Sequence, residues 1–360
     1  MIEKFFPVAL IGVFVGLVFG ADRAICQEQI KRINPPELGF FAKQIDCFAI
    51  PIKSADVVSD EALYKAKQLL SLMLQNVPDI VANLKESGAE LHVIGRKQAT
   101  SDLPEHRSKK GKPFDGDQDI DARTRGVGGL FASCGEENLL GLPEDRYYAR
   151  RSPGSICVHE FAHTILGYGL DDNIRKMWQE QFKRSTGRGL WKSAYATTNY
   201  DEYFAELSMW YFGGLGDSGS ISPAPQHGKE WLRSYDNEAF QLMEKIYTGR
   251  LRPERLEAFA ELNSLSLYSE SNLRSLASEQ PTKLKFVNKT SEAVDIFWLD
   301  FEGRRQRYGS IEPGEIFVQP TYATHPWVLA DKKGSALAIF VATSKPASGI
   351  LRATGIVRSY

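Results

Sequence analysis

Two histidines four residues apart, His159 and His163, with Glu160 beside the first, are the residues of this chain best spaced for chemistry. Side chains at i and i+4 share one face of a helix, so the imidazoles converge on one point with a carboxylate at hand. His-Glu-x-x-His offers two neutral nitrogen ligands for Zn²⁺ and a base to deprotonate an attacking water. The flanks suit a buried helix: Ile156 and Val158 precede the motif, and Phe161, Ile165 and Leu166 surround it. Ser152 or Ser155 is placed to cap that helix, with Pro153 near its start. The competing reading is a chance match on the polar face of an ordinary helix, and a third ligand decides between them. It is not on the same segment, because Leu166 and Gly169 stand where a zinc motif with a third His would need Gly and His. Asp171 and Asp172 read as the polar cap of the next helix.

The third ligand is sought downstream, around Tyr195 and in Glu202-Tyr203-Phe204-Ala205-Glu206. Asn199 or Asp201 caps a helix running into Leu207, Met209, Trp210 and Tyr211, and Glu202 and Glu206 share one face of it. A glutamate from a second helix completes a His-His-Glu set and leaves a fourth position open. The string His-Glu-Phe-Ala-His, then a Tyr, then Glu-Tyr-Phe-Ala-Glu resembles the gluzincin zinc peptidases of the anthrax lethal factor and Pro-Pro endopeptidase group. The resemblance implies that His159, His163 and Glu202 hold zinc, that Glu160 and Tyr195 are catalytic, and that Glu206 supports a ligand from behind.

The elements that must position these residues follow from the rest of the chain. Its 360 residues, 42% hydrophobic and 25% charged with a formal net charge of −1, are ordinary globular material with length for two domains and no electrostatic footprint for nucleic acid. Residues 1–20 carry Lys4 and an apolar run ending in small residues, which reads as a signal peptide, with a retained membrane anchor as the alternative. The mature chain is then secreted or periplasmic, with no stable membrane span. In that setting Cys26, Cys47, Cys134 and Cys157 allow disulfides, Cys26–Cys47 and Cys134–Cys157 among the pairings, while Cys157 also reads as a buried thiol. Residues 38–277 form the α+β peptidase domain. A strand at 45–52, a helix capped by Ser59 with Leu63, Ala66, Leu69, Leu70 and Leu72 on one face, and a strand at 91–94 make a strand-helix-strand unit. Residues 98–126 are polar and read as a solvated loop; Asp115, Asp117 and Asp119 lack the Gly and Glu of a calcium loop. His92, His106 and His227 have no motif around them. Gly128, Gly129 and Leu130 lie in a low-bulk stretch that reads as an edge strand for an extended substrate, with a plain bulged strand as the alternative. Residues 213–228 are a long Gly-, Pro- and Ser-rich loop near the cleft. Helical texture continues from 236 to about 276, with Leu256, Phe259 and Leu262 on one face.

Near Pro281 the texture changes to short strands with turn signals between them, a small all-β sandwich over 282–356. Phe286-Val287-Asn288, Trp298, Phe301, Gly303, Tyr308, Pro313-Gly314, Tyr322, His325, Trp327 and Asp331 resemble the β domain of the von Hippel-Lindau tumour suppressor. That resemblance implies a pocket for 4-hydroxyproline: Trp327 as wall, Tyr308 on the proline carbonyl, His325 on the hydroxyl, and Thr321 at a second hydroxyl contact where the family has Ser. The same residues also read as packing, and Trp298 reads as core. The family's helical ligase-recruiting domain is missing, so no ubiquitin role follows. The sequence is thus expected to encode an exported zinc endopeptidase acting on proline-rich or hydroxyproline-containing proteins, collagen-like or cell-wall glycoproteins, with the sandwich as recognition module. The alternative is a non-catalytic hydroxyproline- or matrix-binding protein on a degenerate peptidase scaffold.

Overall fold

The computed structural model describes residues 29–145 and 152–352. The expected signal peptide at 1–20 and Cys26 lie outside them. The first sheet opens with β1 (Lys31–Glu37), β2 (Phe41–Cys47) and β3 (Ile50–Ser54). The single strand expected at 45–52 is instead a hairpin. Phe48 and Ala49 both take left-handed backbone, φ 51° and 62°, and fold the chain back on itself. Nothing in those residue types announces this, since turns of that kind ordinarily call on Gly or Asn.

Helix α1 (Asp60–Leu74) follows, its first turn closed by Ser59, which accepts from Ala62 N at 3.3 Å. Its stripe of Leu63, Ala66, Leu70 and Met73 is fully buried against the sheet. Helix α2 (Pro78–Ser87) starts on proline and stops at left-handed Gly88, and β4 (Glu90–Ile94) returns parallel to β3. The hairpin of β5 (Pro113–Asp115) and β6 (Gln118–Asp119) leads to α3 (Ile120–Arg123), then β7 (Gly126–Val127) and β8 (Phe131–Gly135). Among the described residues the sheet runs β1-β2-β3-β4-β8-β7, so β7 is an edge. The stretch read as a solvated loop is not one throughout: Thr100, Ser101, Leu103, His106 and Ile120 are buried.

The helical layer comprises α4 (Glu136–Leu140), α5 (Ser155–Thr164), α6 (Asp172–Gly187), α7 (Tyr200–Tyr211), α8 (Lys229–Tyr235) and α9 (Asn237–Tyr247). Trp178, Trp191, Tyr203, Phe204 and Trp210 fill the space between these helices and are fully buried. Cys47, Cys134 and Cys157 are buried. Cys134 on β8 and Cys157 on α5 are free thiols, so the Cys134–Cys157 link is not formed.

The expected helix at 250–276 is a correction. Apart from a 3₁₀ helix at Leu267–Asn272 this segment is not helical, and early in it backbone N–H groups go to side chains. Glu254 N donates to Asp171 Oδ2 at 2.6 Å and Leu256 N to Asn83 Oδ1 at 2.8 Å. It then contributes β9 (Ala260–Glu261) to the C-terminal sandwich. That sandwich comprises β10 (Pro281–Lys289), β11 (Val294–Leu299), β12 (Arg305–Ile311), β13 (Ile316–Tyr322), β14 (Pro326–Ala330), β15 (Ala336–Val341) and β16 (Ala347–Arg352). Its sheets run β13-β10-β16-β9 and β12-β11-β14-β15, with Leu284, Phe286, Ile296, Leu329 and Phe340 in the core.

The two halves are docked. Lys289 pairs with Glu90, Lys285 pairs with Glu86, and Ile316 packs on the first core. Gly314 lies over Phe131, where a Cβ would come within 3.2 Å of the ring. Among the described residues no helix is long and apolar enough to cross a membrane.

Candidate metal centre and aromatic cavity

Helix α5 takes its cap from another element. Asn138 of α4 accepts from Ile156 N at 3.1 Å through its side chain and from Gly154 N at 2.8 Å through its carbonyl. Neither serine caps it: Gly154 holds that position in left-handed backbone, and Ser152 Oγ lies 3.0 Å from His227 Nδ1. Phe161, Ala162 and Ile165 face the core, which leaves His159, Glu160 and His163 on the cleft. Across the cleft α7 is capped by Asn199, which accepts from Glu202 N at 2.8 Å. That cap fixes the first turn and aims Glu202 at α5.

The nitrogens His159 Nε2 and His163 Nε2 lie 3.2 Å apart. Glu202 Oε2 lies 3.1 Å from the first and 3.4 Å from the second. Ligating atoms of His159, Glu160 and His163 also gather within 4.8 Å of one another. Glu202 Oε2 is buried and receives no hydrogen bond. Three lone-pair-bearing atoms in such a triangle repel one another unless positive charge sits among them. Bonds of 2.0–2.1 Å in a tetrahedral zinc site place ligands about 3.4 Å apart, so the residues present fit that ion. The surroundings are strongly anionic and draw in positive charge, whether a proton or a metal ion. Burial pushes the His159 imidazole down, but Glu202, Glu206 and Glu160 outweigh it and lift the pKa to about 10. Burial raises Glu202, yet the two imidazoles hold it well below the usual carboxylate range.

Behind the triangle, His159 Nδ1 faces the fully buried Glu206 Oε1 at 3.3 Å, an ion-pair distance. Glu206 Oε2 accepts from Asp217 N at 2.5 Å. Asp217 Oδ2 in turn accepts from Tyr195 N at 2.7 Å. The Tyr195 phenol donates to Glu202 Oε1 at 3.3 Å, and its ring lies 6.4 Å from that of His159 at 30°. Burial and the Glu202 charge push the phenol up to about 12, which keeps its proton on at neutral pH.

The edge-strand expectation needs correction in its boundaries. The paired residues are Gly126 and Val127, whereas Gly128, Gly129 and Leu130 form the turn into β8. The glycines there make room for side chains of α5. A Cβ on Gly126 would sit 2.9 Å from Glu160, and one on Gly128 would sit 2.6 Å from His163 Cβ. Thr164 Oγ1 donates to Gly129 O at 2.6 Å and closes the contact. The cleft, about 970 Å³, is lined by the residues above together with Arg123, Arg125, Phe114 and Asp217. Asn138 lies in Glu136–Leu140, a run that resembles the peptidase family, but neither its capping role nor the bridging role of Asp217 shows in the sequence, because each acts across a long separation. Only Asp217 belongs to a segment, the 213–228 loop, that is expected near the cleft.

The sandwich has its own cavity, about 680 Å³, and Tyr308, Thr321, His325 and Trp327 all line it. The Tyr308 ring meets Trp327 edge-on, centroids 4.9 Å apart at 76°. Trp327 Nε1 donates to Thr321 Oγ1 at 3.2 Å. Trp298 is not plain core: it is half-buried, lines the same cavity, and stands 5.4 Å from the His325 ring. Its indole donates to Ser275 Oγ at 2.6 Å. Phe301 and Tyr322 complete the wall. Burial lowers the His325 pKa, so the ring is neutral at physiological pH.

Residues 273–342 match the family model VHL beta domain. A Pro-Pro endopeptidase from Paenibacillus alvei is similar in structure with TM-score 0.36 and 16% identity, over 52% of this chain and 92% of that one.

Proposed function

We propose that this chain is an exported Zn²⁺-dependent endopeptidase whose β sandwich recognises proline-rich, hydroxyproline-containing protein. The reading is carried by one observation: His159 Nε2, His163 Nε2 and Glu202 Oε2 converge at 3.1–3.4 Å with Glu160 alongside. His159, His163 and Glu202 would hold the ion. When bound, zinc supplies Lewis acidity toward a carbonyl and lowers the pKa of water. Glu160 takes a proton from the attacking water and passes it to the leaving amine. Tyr195, protonated at neutral pH, donates to the oxygen on which negative charge develops. Glu206 holds the His159 ring in orientation through Nδ1. The open edge at Gly126–Val127 offers backbone groups to an extended peptide, and Gly126 leaves Glu160 room to reach it.

For the sandwich, the support is a cavity walled by Trp298, Tyr308 and Trp327 with a neutral imidazole at its side. A pyrrolidine ring packs on the aromatic faces. Its hydroxyl bonds His325 and Thr321, and a ligand without that hydroxyl leaves those groups unpaired. The sandwich then gathers substrate beside the cleft and raises the local concentration of cleavable bonds. Digestion of a proline-rich peptide library by the full chain, with and without chelator and with Glu160→Gln as control, tests this. Chelator-sensitive cuts that vanish in the variant are expected. A metal-bearing protein that cuts nothing would favour the non-catalytic binding protein.

A further inference from the structure

We infer that Asp217 is a positioning residue whose carboxylate fixes the backbone from which the Tyr195 phenol reaches the metal centre; the inference rests on the endopeptidase reading. Tyr195 opens a single 3₁₀ turn, Tyr195–Thr197, after a run of irregular turns. The first N–H of a helical turn has no partner within the turn. Here that donor goes to Asp217 Oδ2 at 2.7 Å, a charge-assisted bond. The Tyr195 ring is exposed on the cleft, so packing alone does not hold it. Its hydroxyl lies 3.3 Å from Glu202 Oε1, beside the converging imidazole nitrogens. Where that hydroxyl sits is then set by where its backbone is held. A misplacement of about 1 Å in a catalytic group costs on the order of a hundredfold in rate.

The surroundings of this bond keep it in place. Trp191 and Ser193, neither of them glycine, take left-handed backbone with φ 63° and 59° just before Tyr195. Residues in that region persist only where neighbours hold them. The loop over 213–228 supplies the hold. Gly219 lies so close that a Cβ would come within 2.3 Å of Ala194 N and 2.4 Å of the Ser193 carbonyl carbon. Ser220 donates to Lys192 O from its backbone N at 3.3 Å and from Oγ at 3.0 Å. On its other side Asp217 meets the support of His159. Its own N–H donates to Glu206 Oε2 at 2.5 Å, and Gly216 leaves the space, since a Cβ there would lie 2.5 Å from the same oxygen. Asp217 therefore serves two groups with different atoms. The side chain holds Tyr195 and the backbone holds Glu206, so a substitution removes the first hold and leaves the second.

The test is a double-mutant cycle in the full-length protein. Asp217→Ala and Asp217→Asn are made with and without Tyr195→Phe. On a peptide the wild type cleaves, kcat and KM are measured, and zinc affinity is measured by chelator competition. Asp217→Ala is expected to lower kcat on the order of tenfold or more, with KM and zinc affinity within about twofold. Asp217→Asn keeps an acceptor oxygen and should recover most of the lost kcat. In the Tyr195→Phe background the alanine change is expected to cost less than about twofold. A second readout is independent of turnover and of metal. In metal-free protein carrying ¹⁵N-tyrosine, the Tyr195 amide, assigned by its loss in Tyr195→Phe, should move upfield and exchange faster with solvent in Asp217→Ala, and less so in Asp217→Asn. Equal losses in both backgrounds, a loss that falls on zinc affinity or on KM alone, or an unmoved amide would overturn the inference. Should the wild type cleave nothing, the endopeptidase reading fails, while the amide still decides whether Asp217 holds Tyr195.

Discussion

The cleft between α5 and α7 and the cavity of the sandwich are similar in scale but are made from opposite materials. In the cleft, two imidazoles and the carboxylates of Glu160, Glu202 and Glu206 are pressed together, and Glu202 Oε2 has no donor. In the cavity the walls are indole and phenol rings, one uncharged imidazole sits among them, and the Trp327 indole is satisfied by Thr321. The first arrangement is electrostatically incomplete without a cation, so its strain is relieved by the group that does chemistry. The second needs no cation and gains when a ligand ring displaces water from its aromatic walls and a ligand hydroxyl meets His325 and Thr321. A site of the first kind is read from charges that should not be neighbours, and one of the second kind from aromatic area left uncovered.

The comparison breaks most visibly at Glu160. Glu160→Gln keeps the shape of the cleft and removes the proton acceptor. Peptide cleavage should fall about a thousandfold, with zinc stoichiometry by elemental analysis unchanged and hydroxyproline-peptide binding untouched. Retained cleavage would leave the base elsewhere.

That residue was also the most legible. His159 with His163 and Glu202 with Glu206 are i,i+4 pairs, and a helix converts that spacing into a shared face whatever surrounds it. The aromatic residues of the sandwich were legible as a resemblance over one contiguous stretch, 284 to 340. What could not be read depends on partners distant in the chain. Asn138 caps a helix eighteen positions away, and Asp217 bridges Tyr195 and Glu206. Local pattern failed in two further places for physical reasons. Phe48 and Ala49 turn a hairpin with the wrong residue types. The segment after Leu251 looks amphipathic because it lies along one domain and pairs with the next, not because it is helical.

Removing the support behind His159 should cost less than removing the base. Glu206→Gln leaves all three ligating atoms in place but weakens the hold on Nδ1. Zinc affinity by chelator competition should drop roughly ten- to a hundredfold. An unchanged affinity would mean that α5 and α7 orient the ring without help.

In the sandwich the effects are smaller, because no charge is involved. A hydroxyproline peptide should bind the full chain at least about tenfold tighter than its proline twin by calorimetry. His325→Ala should erase most of that difference while cleavage of a short peptide proceeds at the wild-type rate. Equal affinities in the wild type would leave an aromatic pocket for proline and remove the hydroxyl-reading role.

The least of these effects asks whether cleft and cavity belong to one body. Lys289 of the sandwich reaches Glu90 of the first sheet, which Lys53 also meets at 2.8 Å and His92 Nε2 at 3.2 Å. His92 Nδ1 meets Glu105 Oε1 at 2.5 Å, and Glu37 joins from β1 through Lys53. Burial pushes His92 down, but Glu105 and Glu90 more than offset it and raise its pKa to about 9. Glu90 and Glu105 are held below their usual range, burial keeps the adjoining His106 near 4, and Lys53 is raised. Between the ordinary histidine range and pH 9, His92 is therefore the member of this cluster that changes charge. Its folded pKa lies above the unfolded one, so its contribution is complete below about pH 6.5 and is lost as pH rises through about 9. Thermal melts of the full chain should show Tm falling by about 3–8 °C from pH 6.5 to 9.5. His92→Gln should melt lower at pH 6.5 and show a flatter profile. Because Lys289 shares Glu90, the α-helical and β-sheet signals should move together. If they separate in the wild type, or if the variant keeps the full slope, the two regions are independent and the cluster does not join them.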